Sequence, residues 1–371
     1  MKKLIFLWVI TIQFVSAQQE LALVRKNGNF GYISKTGDFV IQPKFKKAKN
    51  FSDGLASVEE NGKWGFINNK GEWVISAIFD EAKYFNSGIC VVAKDKKWFY
   101  INKKGETIQS PTSDKVYDFD DGIAFVRVGE KVGLINSKME FVVEPKYEVI
   151  KPFENGYARV RNNDRWGIID KTGKVVVELI YDEIGNYYKN TTWAKNGSVF
   201  GLVIDGKFKE IAGVDKIWDF SINDITYVRK NNKMGFVDLN GKWIIEPKYD
   251  KVRAFVNDLA PVCVDKKWGY INRNGDFIVE PIYEDAEVFS LDGLAPVKEV
   301  NWGFIDRTGK VIVDTKYGIS AGGVFAIFRD DEKGFVNGLA RVKNEDKWGF
   351  IKLDGSVLGN QWYQNAELFN K

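Results

Sequence analysis

The stretch "NGKWGFINNKGEW" (Asn61–Trp73) decides the fold. It reads as turn, strand, turn and the start of another strand. Asn61 and Gly62 both tolerate positive φ, which marks a tight hairpin. "KWGFIN" follows as a strand, and a glycine inside a strand marks a bulge or a close approach of two backbones. "NNKG" is a second turn with Gly71 at its tight position. Upstream, "LASVEEN" (Leu55–Asn61) alternates apolar and polar residues as a half-buried strand does. Downstream, "EWVISAIF" (Glu72–Phe79) is a third strand, and "DEAKYF" (Asp80–Phe85) is a short fourth extended piece. Helices of ordinary length do not fit between turns so closely spaced.

The stretch returns as "NDRWGIIDKTGKV" (Asn163–Val175), "DKKWGYINRNGDF" (Asp265–Phe277) and "EDKWGFIKLDGSV" (Glu345–Val357). The position of its tryptophan recurs every 34 residues, at Phe30, Trp64, Trp98, Val132, Trp166, Phe200, Met234, Trp268 and Trp302, and then after 46 at Trp348. Other columns keep this register. Seven residues on, glycine recurs at Gly37, Gly71, Gly105, Gly173, Gly241, Gly275, Gly309 and Gly355. Fifteen residues on stands an aromatic, from Phe45 and Phe79 through to Tyr363, and twenty-one on another, from Phe51 and Phe85 to Phe369. A proline at thirteen is less regular: Pro43, Pro111, Pro145, Pro247 and Pro281. Ten units result, starting near residues 20, 54, 88, 122, 156, 190, 224, 258, 292 and 338.

This unit resembles the WG-repeat (KWG repeat) family of bacterial β-repeat proteins. The resemblance spans residues 20 to 371. It is carried by Trp64-Gly65, Trp166-Gly167, Trp268-Gly269, Trp302-Gly303 and Trp348-Gly349, is weaker at Val132-Gly133 and Met234-Gly235, and loses its glycine at Trp98-Phe99. The resemblance implies an all-β repeat array and no catalytic residues.

A meander of three long strands and a short fourth cannot bury both faces alone, whereas stacked neighbours can. The expected class is all-β, with ten antiparallel units in a propeller-like closed ring. The array fills the chain without separate caps, which favours closure; the alternative is an open β-solenoid or superhelix. The motif residues, with Trp98 among them, are expected to be structural anchors between units. Valine and methionine replace the tryptophan at Val132 and Met234, and packing accepts that where a ligand platform would not.

Residues 1–17 read as a signal peptide: two lysines, an apolar run from Leu4 to Val15, and small residues up to Ala17, where cleavage is expected. Residues 18–371 then form one exported domain, without a further apolar run long enough to span a membrane. The destination is the periplasm, the cell surface or the medium. Net charge is +4, with both signs interspersed, so nucleic acid is not an expected partner. The chain has no histidine, which removes the commonest general base and metal ligand. The two cysteines, Cys90 and Cys263, fall in different columns and are expected to be free thiols. Recurrent carboxylates at Asp80-Glu81, Asp182-Glu183, Asp250 and Glu284-Asp285 occupy one turn position and read as solvated strand ends. No cofactor, metal site or catalytic set is expected.

The repeat breaks in two places. Residues 182–230 add Tyr187, Tyr188, Trp193, Trp218 and Tyr227, and aromatics outside the core columns can form a binding patch. The insertion Gly318–Gly334 adds Phe325, Phe328 and Arg329, and insertions in repeat proteins fall on loops of one face. Asn190-Thr191-Thr192 also has the form of an N-glycosylation acceptor. The expected function is that of an exported, non-enzymatic scaffold for protein or peptide partners. A carbohydrate-binding module using the off-column aromatics is the alternative.

Overall fold

A computed structural model describes residues 19–370 except 221–223, 257 and 319–333. Its strands form ten small antiparallel sheets arranged in a ring, a ten-bladed β-propeller. Blade 2 shows the pattern. A short strand (Ala48–Ser52) is followed by three long ones (Leu55–Glu60, Lys63–Ile67 and Trp73–Phe79), and they lie side by side in that order. The fourth piece of each sequence unit therefore belongs to the following blade. Glu81–Ala82, which ends the unit around Trp64, pairs with Ile89–Lys94 of blade 3. Each unit is covalently stitched into its neighbour.

The same offset closes the ring. Asn365–Ala366, at the end of the chain, pairs with Ala22–Lys26 at its start, matching Ala366 to Val24 and Asn365 to Arg25. The amide N–H and carbonyl of Leu21 exchange hydrogen bonds with Asn370 at 2.9 and 3.0 Å. The hydrophobic core is correspondingly not central. It is a series of clusters, one at each blade interface, and the cluster of Ala22, Val24, Ile33, Phe350, Leu358, Tyr363 and Ala366 fills the interface between last and first blades. The open superhelix is thereby set aside. Within these interfaces, the aromatic two residues after the motif position meets the one at twenty-one, as in the T-shaped pairs Phe66–Phe85 and Phe236–Phe255, with centroids 4.8 and 4.7 Å apart. Phe335, which follows the insertion, takes the same place against Phe304 at 4.8 Å.

The glycine of the Trp-Gly pair has a steric reason. Trp64 pairs with Phe79 and Phe66 with Ile75, so the third long strand holds two extra residues against two of the second. This bulge passes directly over Gly65, where a Cβ would stand 2.6 Å from the Ile75 carbonyl oxygen and the Ala77 nitrogen. Gly133, Gly235, Gly269 and Gly303 lie under the same crossing, with the nearest oxygen 2.4–2.6 Å from a built Cβ. Pro43, Pro145, Pro247 and Pro281 sit in the bulge above Gly31, Gly133, Gly235 and Gly269. A bulge suits proline because it removes a ladder position that would need the N–H.

The glycine seven residues on serves a different turn. Gly71 has φ +80°, and the Oδ1 of Asn68 accepts the N–H groups of Lys70 and Glu72 at 3.0 Å each. A Cβ on Gly71 would press on Ile41 of the preceding blade. The first glycine column thus sets how closely two backbones approach, and the second how closely a turn packs on a side chain of the preceding blade.

Blade 3 departs from the pattern where its sequence does. Phe99 stands in the glycine position and packs against Phe79. Its third long strand shrinks to Thr107–Ile108, pairs without a bulge, and leaves Trp98 without a strand partner on that side. In the described residues blade 4 has three strands, without the short one at its edge.

Two outcomes follow from this geometry. Gly269→Ala should lower stability by roughly 2–4 kcal/mol, because the obstructing atoms are backbone and cannot repack; chemical denaturation measures it. Truncation after Gln364 should remove hydrogen-exchange protection at Leu21 and lower Tm, whereas protection unchanged at Leu21 would mean that the ring does not close through this strand.

Candidate interaction cleft

In most blades the motif residue lies opposite the aromatic fifteen residues on, as Trp64 does with Phe79, Trp166 with Tyr181, Trp268 with Tyr283 and Trp302 with Tyr317. Trp64 and Trp268 are buried among residues of two blades, as anchors should be. Trp166, Trp302 and Trp348 are half-buried, while Trp98 is 45% exposed, so Trp98 does not act as a buried anchor. The remaining face of the indole is usually covered by a cation. Lys49 lies 5.2 Å from the Trp64 ring centre, Arg161 5.7 Å from Trp166, Arg253 4.4 Å from Trp268 and Arg341 4.7 Å from Trp348. Several of these cations also bridge blades. Lys49 donates to the Ala82 carbonyl at 2.6 Å, Arg341 to that of Ala366 at 3.0 Å, and Arg253 to that of Ala286.

Blade 7 differs from its neighbour. Trp218 follows its short strand Lys216–Ile217 where Lys49 and Arg253 stand in their blades, and its motif position holds Met234. Trp218 lies over Tyr227 with centroids 4.9 Å apart and planes tilted by 33°. Both rings are half-buried. They open into a cleft of about 690 Å³ that continues past Met234 to Arg253 and Trp268 of blade 8 and Glu284 and Asp285 at the edge of blade 9. Lys216 reaches over the Trp218 ring at 4.7 Å.

The ionisable groups of the cleft are tied in pairs. Asp250 accepts from Lys233 at 2.6 Å, Asp285 from Arg253 at 2.9 Å, and Glu284 from Lys267. The hydrogen bond from Lys233 holds the Asp250 carboxyl below its usual value, with help from the Asp265 N–H. Lys267 does the same for Glu284. These belong to a repeated device at partly exposed strand ends. Asp80 accepts from Lys63 of its own unit and from the Asp95 N–H of the next hairpin, and Asp182 accepts from Arg165 and the Gly197 N–H. The carboxylates stay in contact with solvent, as expected, and also join two consecutive hairpins.

The off-column aromatics divide. Tyr187 is buried in the interface of blades 5 and 6, edge-on to Tyr157 at 4.7 Å. Trp193 donates its indole N–H to Asp219 at 2.6 Å and packs near Phe200, and Tyr188 packs beside it. These three hold the divergent blades together. Trp218 and Tyr227 are the two that meet in the cleft. Phe325, Phe328 and Arg329 lie outside the described residues. Arg253, Asp250, Lys251 and Trp268 completed the cleft without being singled out in sequence as binding residues, because only the fold brings them beside Trp218. Cys90 and Cys263 are buried free thiols, and burial pushes both pKa values up. Among the described residues there is no group of carboxylates and thiols fit to hold a metal, and no helix long and apolar enough to cross a membrane.

Ten blades, a ring closed by the first and last strands, and a backbone crossing over the motif glycine in most blades define a β-propeller of repeated units. The chain belongs to the WG containing repeat family, whose model matches residues 30–64, 64–98, 98–131, 133–166, 166–199, 234–268, 268–301, 302–318 and 330–348. The unmatched stretch 200–233 carries Trp218 and Tyr227. No curated protein matches the chain in sequence. Among solved structures, a eukaryotic initiation factor is similar in fold, at 10% identity over 95% of this chain and 98% of that one, with a TM-score of 0.52. Hsv2 of Kluyveromyces lactis matches over 69% of this chain and 98% of its own, at 10% identity and a TM-score of 0.34. PorZ of Porphyromonas gingivalis, described as a surface component of the type-IX secretion system, matches over 91% and 55%, at 9% identity and a TM-score of 0.25. The last two likenesses are too weak to argue from.

The inter-hairpin carboxylates carry a pH dependence. Asp80, Asp250 and Glu284 have folded pKa values depressed by their lysines. Their contribution to stability is therefore full above the unfolded carboxylate value, about 4, and is lost as pH falls through the lower folded values. Thermal melts from pH 6 to pH 2 should show Tm falling only below about pH 4 from this source. Asp80→Asn combined with Asp250→Asn should flatten that fall.

Proposed function

We propose that this protein is an exported, non-enzymatic scaffold that holds protein or peptide partners in the envelope or outside the cell. Docking is centred on the cleft between blades 7 and 8. One observation carries this reading: Trp218 and Tyr227 stack half-exposed in a cleft of about 690 Å³, beside the charges of Arg253, Asp285 and Glu284. An aromatic pair with paired charges at its rim is the kind of surface on which an extended polypeptide finds both anchoring area and hydrogen bonds. A non-enzymatic role is supported by the same charges. The carboxylates at Asp250 and Glu284 are held ionised, the opposite of what a general acid needs, and the chain has no histidine. Export rests on the sequence of residues 1–17, which lie outside the described residues.

Carbohydrate binding is the second reading. It is favoured by the half-buried Trp218 and Tyr227 rings lying beside carboxylates, which can accept from sugar hydroxyls.

Affinity capture from the host envelope tests the first reading. The native chain should retain a partner that Trp218→Ala and Tyr227→Ala release, each weakening binding about tenfold or more while Tm stays unchanged. A partner set indifferent to both substitutions overturns it. Glycan-array binding that Trp218→Ala abolishes would move the assignment to carbohydrate. Mass spectrometry of the exported protein should find a mature chain that starts after Ala17.

A further inference from the structure

The aromatic pair of blade 7 recurs three blades away. Asp215-Lys216-Ile217-Trp218-Asp219-Phe220 repeats the pattern of Asp114-Lys115-Val116-Tyr117-Asp118-Phe119, and Ile225-Thr226-Tyr227-Val228-Arg229 that of Ile123-Ala124-Phe125-Val126-Arg127. Tyr117 of blade 4 therefore stands in the place of Trp218, and Phe125 in that of Tyr227. The two rings meet there as well, with centroids 5.9 Å apart and planes at 73°, and both are half-buried. The supporting bonds also recur. The Asp114 N–H donates to the Arg127 carbonyl at 2.8 Å, as the Asp215 N–H does to that of Arg229 at 3.0 Å. The aspartate after each outer ring reaches back to the preceding blade: Asp118 accepts from Lys83 at 2.9 Å and Asp219 from Trp193 at 2.6 Å. Tyr100 of blade 3 holds the Tyr117 carbonyl through its hydroxyl at 2.7 Å.

Packing of the blades does not demand two rings here. The same two positions hold Lys49 and Ser57 in blade 2, Lys151 and Arg159 in blade 5, Gly185 and Trp193 in blade 6, and Arg253 and Pro261 in blade 8. The next blade gives both pairs the same rim. Trp166 with Asp182 and Glu183 lies beyond the pair of blade 4, as Trp268 with Glu284 and Asp285 lies beyond that of blade 7. The uncommitted charge is alike too. Lys115 reaches over Tyr117 at 5.2 Å and Lys216 over Trp218 at 4.7 Å. Both lysines are exposed, and neither forms an ion pair among the described residues. The acids beside them are taken, Asp114 by the Gly129 N–H at 2.7 Å and Asp215 by Arg229 at 2.5 Å. A ring pair with an unmatched lysine above it complements an aromatic side chain that stands next to a carboxylate.

We infer that Tyr117 and Phe125 form a second docking site of the kind centred on Trp218 and Tyr227, and that the two sites together hold one polypeptide partner that carries an aromatic–acidic segment twice. The inference rests on the cleft of blades 7 and 8 being a docking site. Each segment lays an aromatic side chain on a ring pair and gives its carboxylate to Lys115 or Lys216. Both pairs occupy the same position in their blades and so open on the same face of one closed ring. A partner held at one is held near the other, which raises affinity without any new contact.

Two probes test this on the full mature chain: the peptide SEFEFES, and the same sequence in two copies joined by a long Gly-Ser linker. Calorimetric titration with the single peptide should find two sites per chain. Tyr117→Ala or Lys115→Glu should leave one, and so should Trp218→Ala, each with Tm unchanged. The two-copy peptide should bind once per chain, about tenfold or more tighter, and lose that gain with any of the three substitutions. One site, lost with Trp218→Ala and indifferent to Tyr117→Ala and Lys115→Glu, overturns the inference and leaves the cleft of blades 7 and 8 standing. One site that follows Tyr117 and ignores Trp218 removes that cleft, and the joint grip with it. Two sites without a gain for the two-copy peptide overturn the joint grip. Absence of binding to the native chain overturns the aromatic–acidic segment as the occupant.

Discussion

The structure depends on one close approach. In most blades the third strand crosses over the second at a point where the second has a glycine, and only hydrogen lies between two backbones. The crossing inserts two extra residues, bends the third strand, and lets it run on into the short strand of the following blade. Blades 3 and 6, whose third strands are short and pair without a bulge, reach the next blade by loops instead. The tryptophan beside the glycine is secondary. It pairs with the aromatic that ends the crossing and fills space, which is why valine and methionine serve at Val132 and Met234.

Around that crossing, charges do the joining. A carboxylate one residue beyond the crossing aromatic takes a hydrogen bond from a lysine or arginine of its own blade and one from the hairpin of the next. A cation lies on the indole and, in several blades, reaches the carbonyl of the neighbouring short strand. Each contact is partly exposed and modest alone, but the same pair recurs around the ring. The high content of interspersed charge is thereby accounted for without a nucleic-acid or membrane surface. The pattern is interrupted at Trp218, which stands where Lys49 and Arg253 stand in their blades, and at Phe99, which replaces the glycine.

Much of the fold was legible in the columns. The 34-residue period, the hairpin at Asn61–Gly62, the close approach at Gly65 and the anchoring of Trp64 and Trp268 can all be read from residue types, because φ > 0, backbone clearance and burial each demand a particular side chain. The cleft was only half legible. Trp218 and Tyr227 stood out as extra aromatics, yet Tyr187 and Trp193 stood out equally and are packing residues. Residue type says that a ring needs contact; it does not say whether protein or solvent lies on the other side. Trp98 is the converse case, an exposed ring in a column whose other members at Trp64 and Trp268 are buried.

The sequence alone determined the unit, its ten copies and the strand order within a copy, since these follow from local turn chemistry and from a period that repeats. The tertiary structure decided three things that no local pattern contains. It assigned the fourth piece of each unit to the next blade, because that depends on where the bent third strand ends in space. It closed the ring by pairing Ala366 with Val24, because closure depends on the accumulated rotation of ten interfaces and not on either terminus. It also brought Trp218, Arg253 and Asp285, from three consecutive blades, to one cleft.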